Sequence, residues 1–300
     1  MNSFEQSKSE SVVSFEEQFE DKQTFELFGG TVEYVDIKPE HQKSDVPVIF
    51  ALGWGETPET FKDSIRVMSE RGRRVISISH ARGGGKVDRG EIKGDYPEEE
   101  LRKSFAILKI LEEKNISKAD VVAHSEGGIN TAIAATIETA RFRNIIFVNV
   151  GGLIGSDKFP KLAGRFSMNF IQEALLLGTE QDPTRTLRIA KTVSETTKYI
   201  LKNPLRALKE SVAISASETD EMLGSLHDKG VGIVVMNGVD DPVFPVKKMQ
   251  EIVKREQIDG FLSVEGGHNE IFANPEKFIP AIDNMLDTLE KRKQGLNQTD

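Results

Sequence analysis

The stretch Val121–Gly128, VVAHSEGG, sets one serine between strand-forming residues and two glycines. Val121 and Val122 favour extended backbone, and the alanine-rich GGINTAIAATIETA that follows favours a helix. A sharp strand-to-helix turn lifts the residue at its corner above the sheet. Crowding there demands small residues two positions away on each side. Ala123 and Gly127 meet that demand in an A-x-S-x-G pattern. The helix that starts beside Ser125 offers unpaired N–H groups and a dipole that favours negative charge. The pattern thus suits a nucleophile; it also suits a plain serine cap after an ordinary strand.

Outward from this corner, strands and helices alternate. QTFELFGGTVEYVDIKP reads as a β-hairpin about Gly29-Gly30, and VPVIFALG, RRVISIS, ADVVAHS, NIIFVNV, GIVVMNG and GFLSVEG read as strands. TPETFKDSIRVMSERG, YPEEELRKSFAILKILEEKN and NPEKFIPAIDNMLDTLEKRK carry apolar residues at helical spacing. The expectation is an α/β fold with a mostly parallel central sheet and helices on both faces. Residues 154–228 break the alternation with helical stretches only, and read as a helical cap. The expected divisions are a flexible lead-in over 1–22, a core over 23–153 and 229–294, the cap over 154–228, and a tail over 295–300. From 156 to 210 there are ten Lys/Arg against six Asp/Glu, a local excess that suits an anionic substrate or a solvated face.

Composition narrows the function classes. A net charge of −9 argues against a nucleic-acid partner. With no cysteine, thiolate nucleophiles, thiolate metal sites and disulfides are excluded. The polar, acidic MNSFEQSKSESVVSFEEQFED lacks the apolar centre of a secretory signal, and no apolar run approaches the ~20 residues of a membrane helix. A cytoplasmic protein without stable membrane insertion is expected.

A serine nucleophile needs a base, and the base an orienting acid. In MNGVDDPVFP a strand end is followed by Asp240 and Asp241, either of which suits the acid. In SVEGGHNEIF a strand and two glycines precede His268. His124 adjoins Ser125 on the strand, where successive side chains point oppositely, so it is a poor base. The order Ser, Asp, His follows three strand ends, and parallel strands bring such ends to one edge where ligands bind. Oxyanion donors are expected from the N–H of Glu126 and, after Gly53 in FALGWGETPETF, from that of Trp54.

The chain resembles the α/β-hydrolase superfamily over residues 24 to 293. AHSEGG matches its nucleophile elbow, GVDDPVFP its G-x-x-D-x-x-x-P acid loop, and GGH its late histidine. The acid-loop spacing selects Asp241, and the insertion before the acid strand looks like the family's cap. Two departures stand out. Leu52-Gly53 replaces the usual His-Gly of the oxyanion loop, and in HARGGGKV His80 replaces an acid while Arg82, Gly83 and Gly85 match. The resemblance implies a serine hydrolase acting on a carboxylic ester or similar small acyl compound, without metal or organic cofactor. Ser125, Asp241 and His268 would be catalytic. Trp54, Phe166, Phe170, Leu175 and Leu176 would line the substrate pocket. An aminopeptidase using Glu173, Glu180 or Glu195 to hold an amine, an acyltransferase, and a non-catalytic binding protein are the alternatives. Oligomeric state is not legible in the sequence.

Overall fold

The computed structural model describes residues 13–80, 85–90, 92, 94–153, 159–255 and 257–296. Its centre is an eight-stranded sheet. In chain order the strands are β1 (Gln23–Leu27), β2 (Gly30–Ile37), β3 (Val48–Ala51), β4 (Val75–Ile78), β5 (Ala119–His124), β6 (Phe142–Val148), β7 (Gly232–Gly238) and β8 (Gly260–Val264). Their spatial order is β1-β2-β4-β3-β5-β6-β7-β8. The hairpin β1–β2 pairs antiparallel, with Leu27 opposite Gly30, and β2 also runs antiparallel to β4. Every pair from β4 to β8 is parallel. The C-terminal ends of β3, β5, β6, β7 and β8 therefore stand side by side.

Helices α1 (Phe15–Glu20), α2 (Lys62–Glu70), α3 (Glu98–Glu113), α4 (Glu126–Ile137), α5 (Phe159–Thr179), α6 (Pro183–Lys202), α7 (Pro204–Ala216), α8 (Asp220–Asp228), α9 (Val246–Arg255), α10 (Glu270–Ala273) and α11 (Pro275–Leu296) complete the chain. The central strands are buried on both faces, and alternate side chains feed two apolar layers. Val121 and Ala123 pack with Leu101, Ile107, Ile129, Leu223 and Met249 from α3, α4, α8 and α9. Val122 and Phe50 pack on the opposite face with Phe19, Ile65, Met68, Phe278 and Ile282 from α1, α2 and α11.

The structure departs from the expected divisions in three places. Part of the lead-in is ordered: α1 starts in a capping box between Ser14 and Glu17, and Phe19 is fully buried. The amphipathic helix α9 had not been expected. Of the insertion, α5, α6 and α7 pack on one another, whereas α8 packs on α4 and β7 as a crossover helix of the core. Residues 1–12 and 297–300, and with them most of the expected tail, lie outside the described residues, as do Arg82 and Gly83.

The turn from β5 into α4 is made in a single residue. Ser125 has φ 52° and ψ −121°, a conformation that costs a non-glycine residue about 1–3 kcal/mol. A Cβ on Gly127 would stand 2.2 Å from the Ala51 carbonyl oxygen. Gly127→Ala is thus expected to destabilise the fold by about 1–3 kcal/mol, since rigid backbone must give way. Ser125→Gly should do the reverse, by relieving the backbone. Thermal denaturation of both variants checks the pair, at roughly 2–4 °C per kcal/mol.

Candidate active site

Three strand ends deliver Ser125, Asp241 and His268 to one place. Ser125 is 3% exposed, and the other two are each 4% exposed. Ser125 Oγ lies 3.1 Å from His268 Nε2. His268 Nδ1 lies 2.9 Å from Asp241 Oδ2. A carboxylate only accepts, so the ring proton belongs on Nδ1, and Nε2 can accept from the serine hydroxyl. The other Asp241 oxygen, Oδ1, accepts from the N–H groups of Val243 (2.7 Å) and Phe244 (3.0 Å). Asp240 is exposed. The acid-loop spacing thus selected the residue that reaches the histidine.

Residues that sequence reading did not single out hold this arrangement. Asn149, just past β6, is 1% exposed and left-handed, with φ 48°. Its Nδ2 donates to the His268 carbonyl at 2.7 Å, and its Oδ1 accepts from Gly238 N–H at 2.7 Å. One amide therefore joins the acid-bearing and histidine-bearing loops. His124 Nε2 also donates to the His268 carbonyl, at 3.0 Å, while its Nδ1 lies 2.7 Å from Glu56 Oε1. Burial disfavours the charged imidazole of His124, but the Glu56 carboxylate outweighs it and raises the pKa. His124 is therefore the buried partner of Glu56 behind the site, in keeping with its rejection as a base.

The loop after β3 closes the other side. Gly53 N–H donates to Glu56 Oε2. A Cβ at Gly53 would stand 2.8 Å from both Ser125 Cβ and Glu56 Oε2, so only glycine lets this loop lie against the turn. Among the described residues, none accepts a hydrogen bond from the backbone N–H of Trp54 or Glu126. The Trp54 ring packs on Phe166 at 5.6 Å and edge-on to Tyr199 at 6.2 Å.

Two cavities share this wall. One, a narrow space of ≈30 Å³, reaches Ser125 and His268 and is lined by Glu56, Asn169, Glu173 and Asn269 among others. Its neighbour, of ≈240 Å³, is mostly apolar and lies among Leu162, Ala163 and Ile200. Trp54, Phe166 and Phe170 line both. Leu175 does not: it is 65% exposed, because residues 162, 166, 169, 170 and 173 make the inward face of α5 and 175 falls about 200° round the helix from 173. Leu176, half-buried, lines neither cavity. Glu173 is 7% exposed, and its Oε1 accepts from Asn169 (3.3 Å) and from Asn269. Burial raises its pKa, against the opposing pull of Asn269 and His268. Glu180 instead pairs with Arg185, and Glu195 with Lys198. Among the described residues, no group of three or more His, Asp or Glu could hold a metal ion, and no helix is long and apolar enough to cross a membrane.

Comparison with known proteins places this geometry in a familiar fold. No family model matches the chain. A Mycobacterium phage D29 protein that carries a non-heme haloperoxidase name is 22% identical over 241 residues, 77% of this chain and 84% of its own. A carboxylesterase structure from Nitrososphaera gargenis superposes with TM-score 0.65 at 15% identity, covering 90% of this chain and 99% of that one. A bromoperoxidase from Bacillus anthracis gives TM-score 0.65 at 14% identity over 89% and 100%. An esterase from Rhodococcus gives 0.64 at 14% over 89% and 99%. The chain has the α/β-hydrolase fold.

Asn149→Ala would orphan the buried Gly238 N–H and release the His268 loop. An unsatisfied buried group costs about 1–3 kcal/mol. A fall in Tm together with faster amide exchange at residues 265–269 is expected; unchanged exchange would refute the tether.

Proposed function

We propose that the protein is a serine hydrolase that cleaves a carboxylic ester or related acyl bond of a small molecule. The observation that carries this reading is the unbroken chain of hydrogen-bond contacts Ser125 Oγ–His268 Nε2 and His268 Nδ1–Asp241 Oδ2, at 3.1 and 2.9 Å, opening on a cavity. Ser125 attacks the acyl carbonyl as His268 takes its proton. Asp241 keeps the imidazole in the required tautomer and stabilises its charged form. Charge on the tetrahedral oxygen is met by the N–H groups of Trp54 and Glu126, the latter at the start of α4. His268 then returns the proton to the leaving group, and water releases the acid from Ser125 by the same steps in reverse. The apolar cavity beyond Trp54 and Phe166 suits the acyl group. A cytoplasmic setting accords with a cysteine-free chain.

One observation favours a second reading. Glu173 comes from the inserted helix α5 yet lines the same cavity as Ser125. A carboxylate there suits a substrate amine, as an aminopeptidase would need.

Ser125→Ala should lower ester turnover by about 10⁴-fold or more while the fold persists. A fluorophosphonate should label Ser125 in the wild type; a folded protein that resists labelling would sink the mechanism. p-Nitrophenyl esters and aminoacyl anilides separate the two readings. Glu173→Gln is expected to spare the esters, whereas selective loss of anilide turnover, by about tenfold or more, would favour the peptidase.

A further inference from the structure

Beneath the turn lies a charged cluster that the proton relay does not use. Lys103 of α3 is 3% exposed, yet its ammonium lies 2.6 Å from Glu126 Oε1 and 3.2 Å from Glu210 Oε1. Glu126 follows the nucleophile and is fully buried; Glu210 comes from inserted helix α7 and is 1% exposed. Tyr199 of α6 donates its hydroxyl to Glu210, and Arg206 Nε adds a contact at 3.2 Å. The same Tyr199 ring meets the edge of Trp54. Glu100, also buried, is pushed well up by burial and by the nearby Glu126, against the opposing pull of Lys103. Burial pushes Glu210 up too, but Lys103, His80 and the Tyr199 hydroxyl prevail and hold it at about 2. It is therefore the ionised partner that α7 brings to Lys103.

His80 is the second contributor. Its Nε2 donates to the Gly53 carbonyl at 2.6 Å, and lies 4.0 Å from Glu126 Oε2. The Gly53 carbonyl and the Trp54 N–H belong to one planar peptide unit. Fixing the oxygen therefore fixes the direction of the N–H. The Glu126 N–H, in turn, belongs to the residue whose side chain Lys103 holds. Both backbone donors assigned to the oxyanion are thus anchored in one buried cluster, and the cluster reaches into the inserted helices.

We propose that His80 and Lys103 are positioning residues for the two oxyanion donors, and that Glu210 makes their placement depend on the inserted helices being seated. This rests on the serine-hydrolase reading. Arg185 and Arg188 of α6 tie the insertion to the core elsewhere, through Glu270, Asp63 and Glu276. Losing Glu210 should therefore loosen α7 and the end of α6 without freeing the whole insertion.

The test compares full-length wild type with Glu210→Gln, His80→Ala, His80→Gln and Lys103→Arg. Lys103→Met is avoided because it strands buried carboxylates and risks the fold. Kinetics on a p-nitrophenyl ester and amide hydrogen exchange are measured for each. Glu210→Gln is expected to speed exchange over residues 199–214 and to lower kcat about tenfold with KM within twofold. A transition-state interaction reads out in kcat, whereas a merely loosened pocket would raise KM. His80→Ala should likewise lower kcat about tenfold. His80→Gln, which can still donate to Gly53, should recover part of the loss, and Lys103→Arg, whose larger planar head cannot keep both carboxylate contacts in so buried a slot, should lower kcat with KM little changed. Unchanged kcat in Glu210→Gln and His80→Ala, or a change in KM alone, overturns the proposal. A wild type that neither labels at Ser125 nor turns over ester would refute the hydrolase reading instead. The exchange rates would still show whether Glu210 anchors α7.

Discussion

The passage of the chain through Ser125 constrains everything around it. The backbone must leave β5 and enter α4 in a single residue, at φ 52°. That turn can exist only if Gly127 lies bare against the Ala51 carbonyl and Gly53 lies bare against the Ser125 side chain. The second requirement joins two loops that are far apart in sequence. Because no Cβ intervenes, the peptide linking Gly53 to Trp54 approaches the serine closely. The placement of the hydroxyl and the close approach of the loop after β3 thus share one steric cause.

A sheet edge alone does not hold a histidine in line. Side chains at or just past the strand ends make the lateral links: Glu56 and His124 behind the turn, Asn149 between the loops after β7 and β8, and Asp241 folded back on its own loop N–H groups. Below them, Lys103 sits among three carboxylates with almost no access to solvent. Removing such charges from water costs several kcal/mol per ion before any pairing is regained. A core filled with leucine would be cheaper, so the arrangement is more readily understood as geometry control than as a source of stability.

Much of the fold was legible because its signals are local. β-branched runs, helical spacing and glycine stops mark the sheet and most helices, and Ser125, Asp241 and His268 each follow a recognisable strand end. Trp54 was also readable, as the lone tryptophan of the loop after an early strand, and Phe166 and Phe170, as apolar residues of the expected cap, line the same cavity. Leu175 misled because it is apolar on a helix whose inward phase was not known; only packing reveals that Glu173 and Asn169 point inward instead. The links made by Asn149, Lys103 and Glu210 had no local signature. Each is an ordinary polar residue whose meaning depends on a partner brought near by folding. His80 was visible only as a departure from a pattern, and the hydrogen bond to Gly53 supplies its physical role.

The position of β8 at the margin of the sheet has its own consequence. This strand pairs with one neighbour only, and its side chains are partly open to solvent. The imidazole therefore hangs from the least buttressed strand of the parallel set, and its carbonyl is moored inward by Asn149 and His124. Thermal fraying would begin at that border, carrying the imidazole out of line with Ser125 while the interior stayed intact. On the hydrolase reading, warmed protein would then fall silent before it melts, and cooling would restore it.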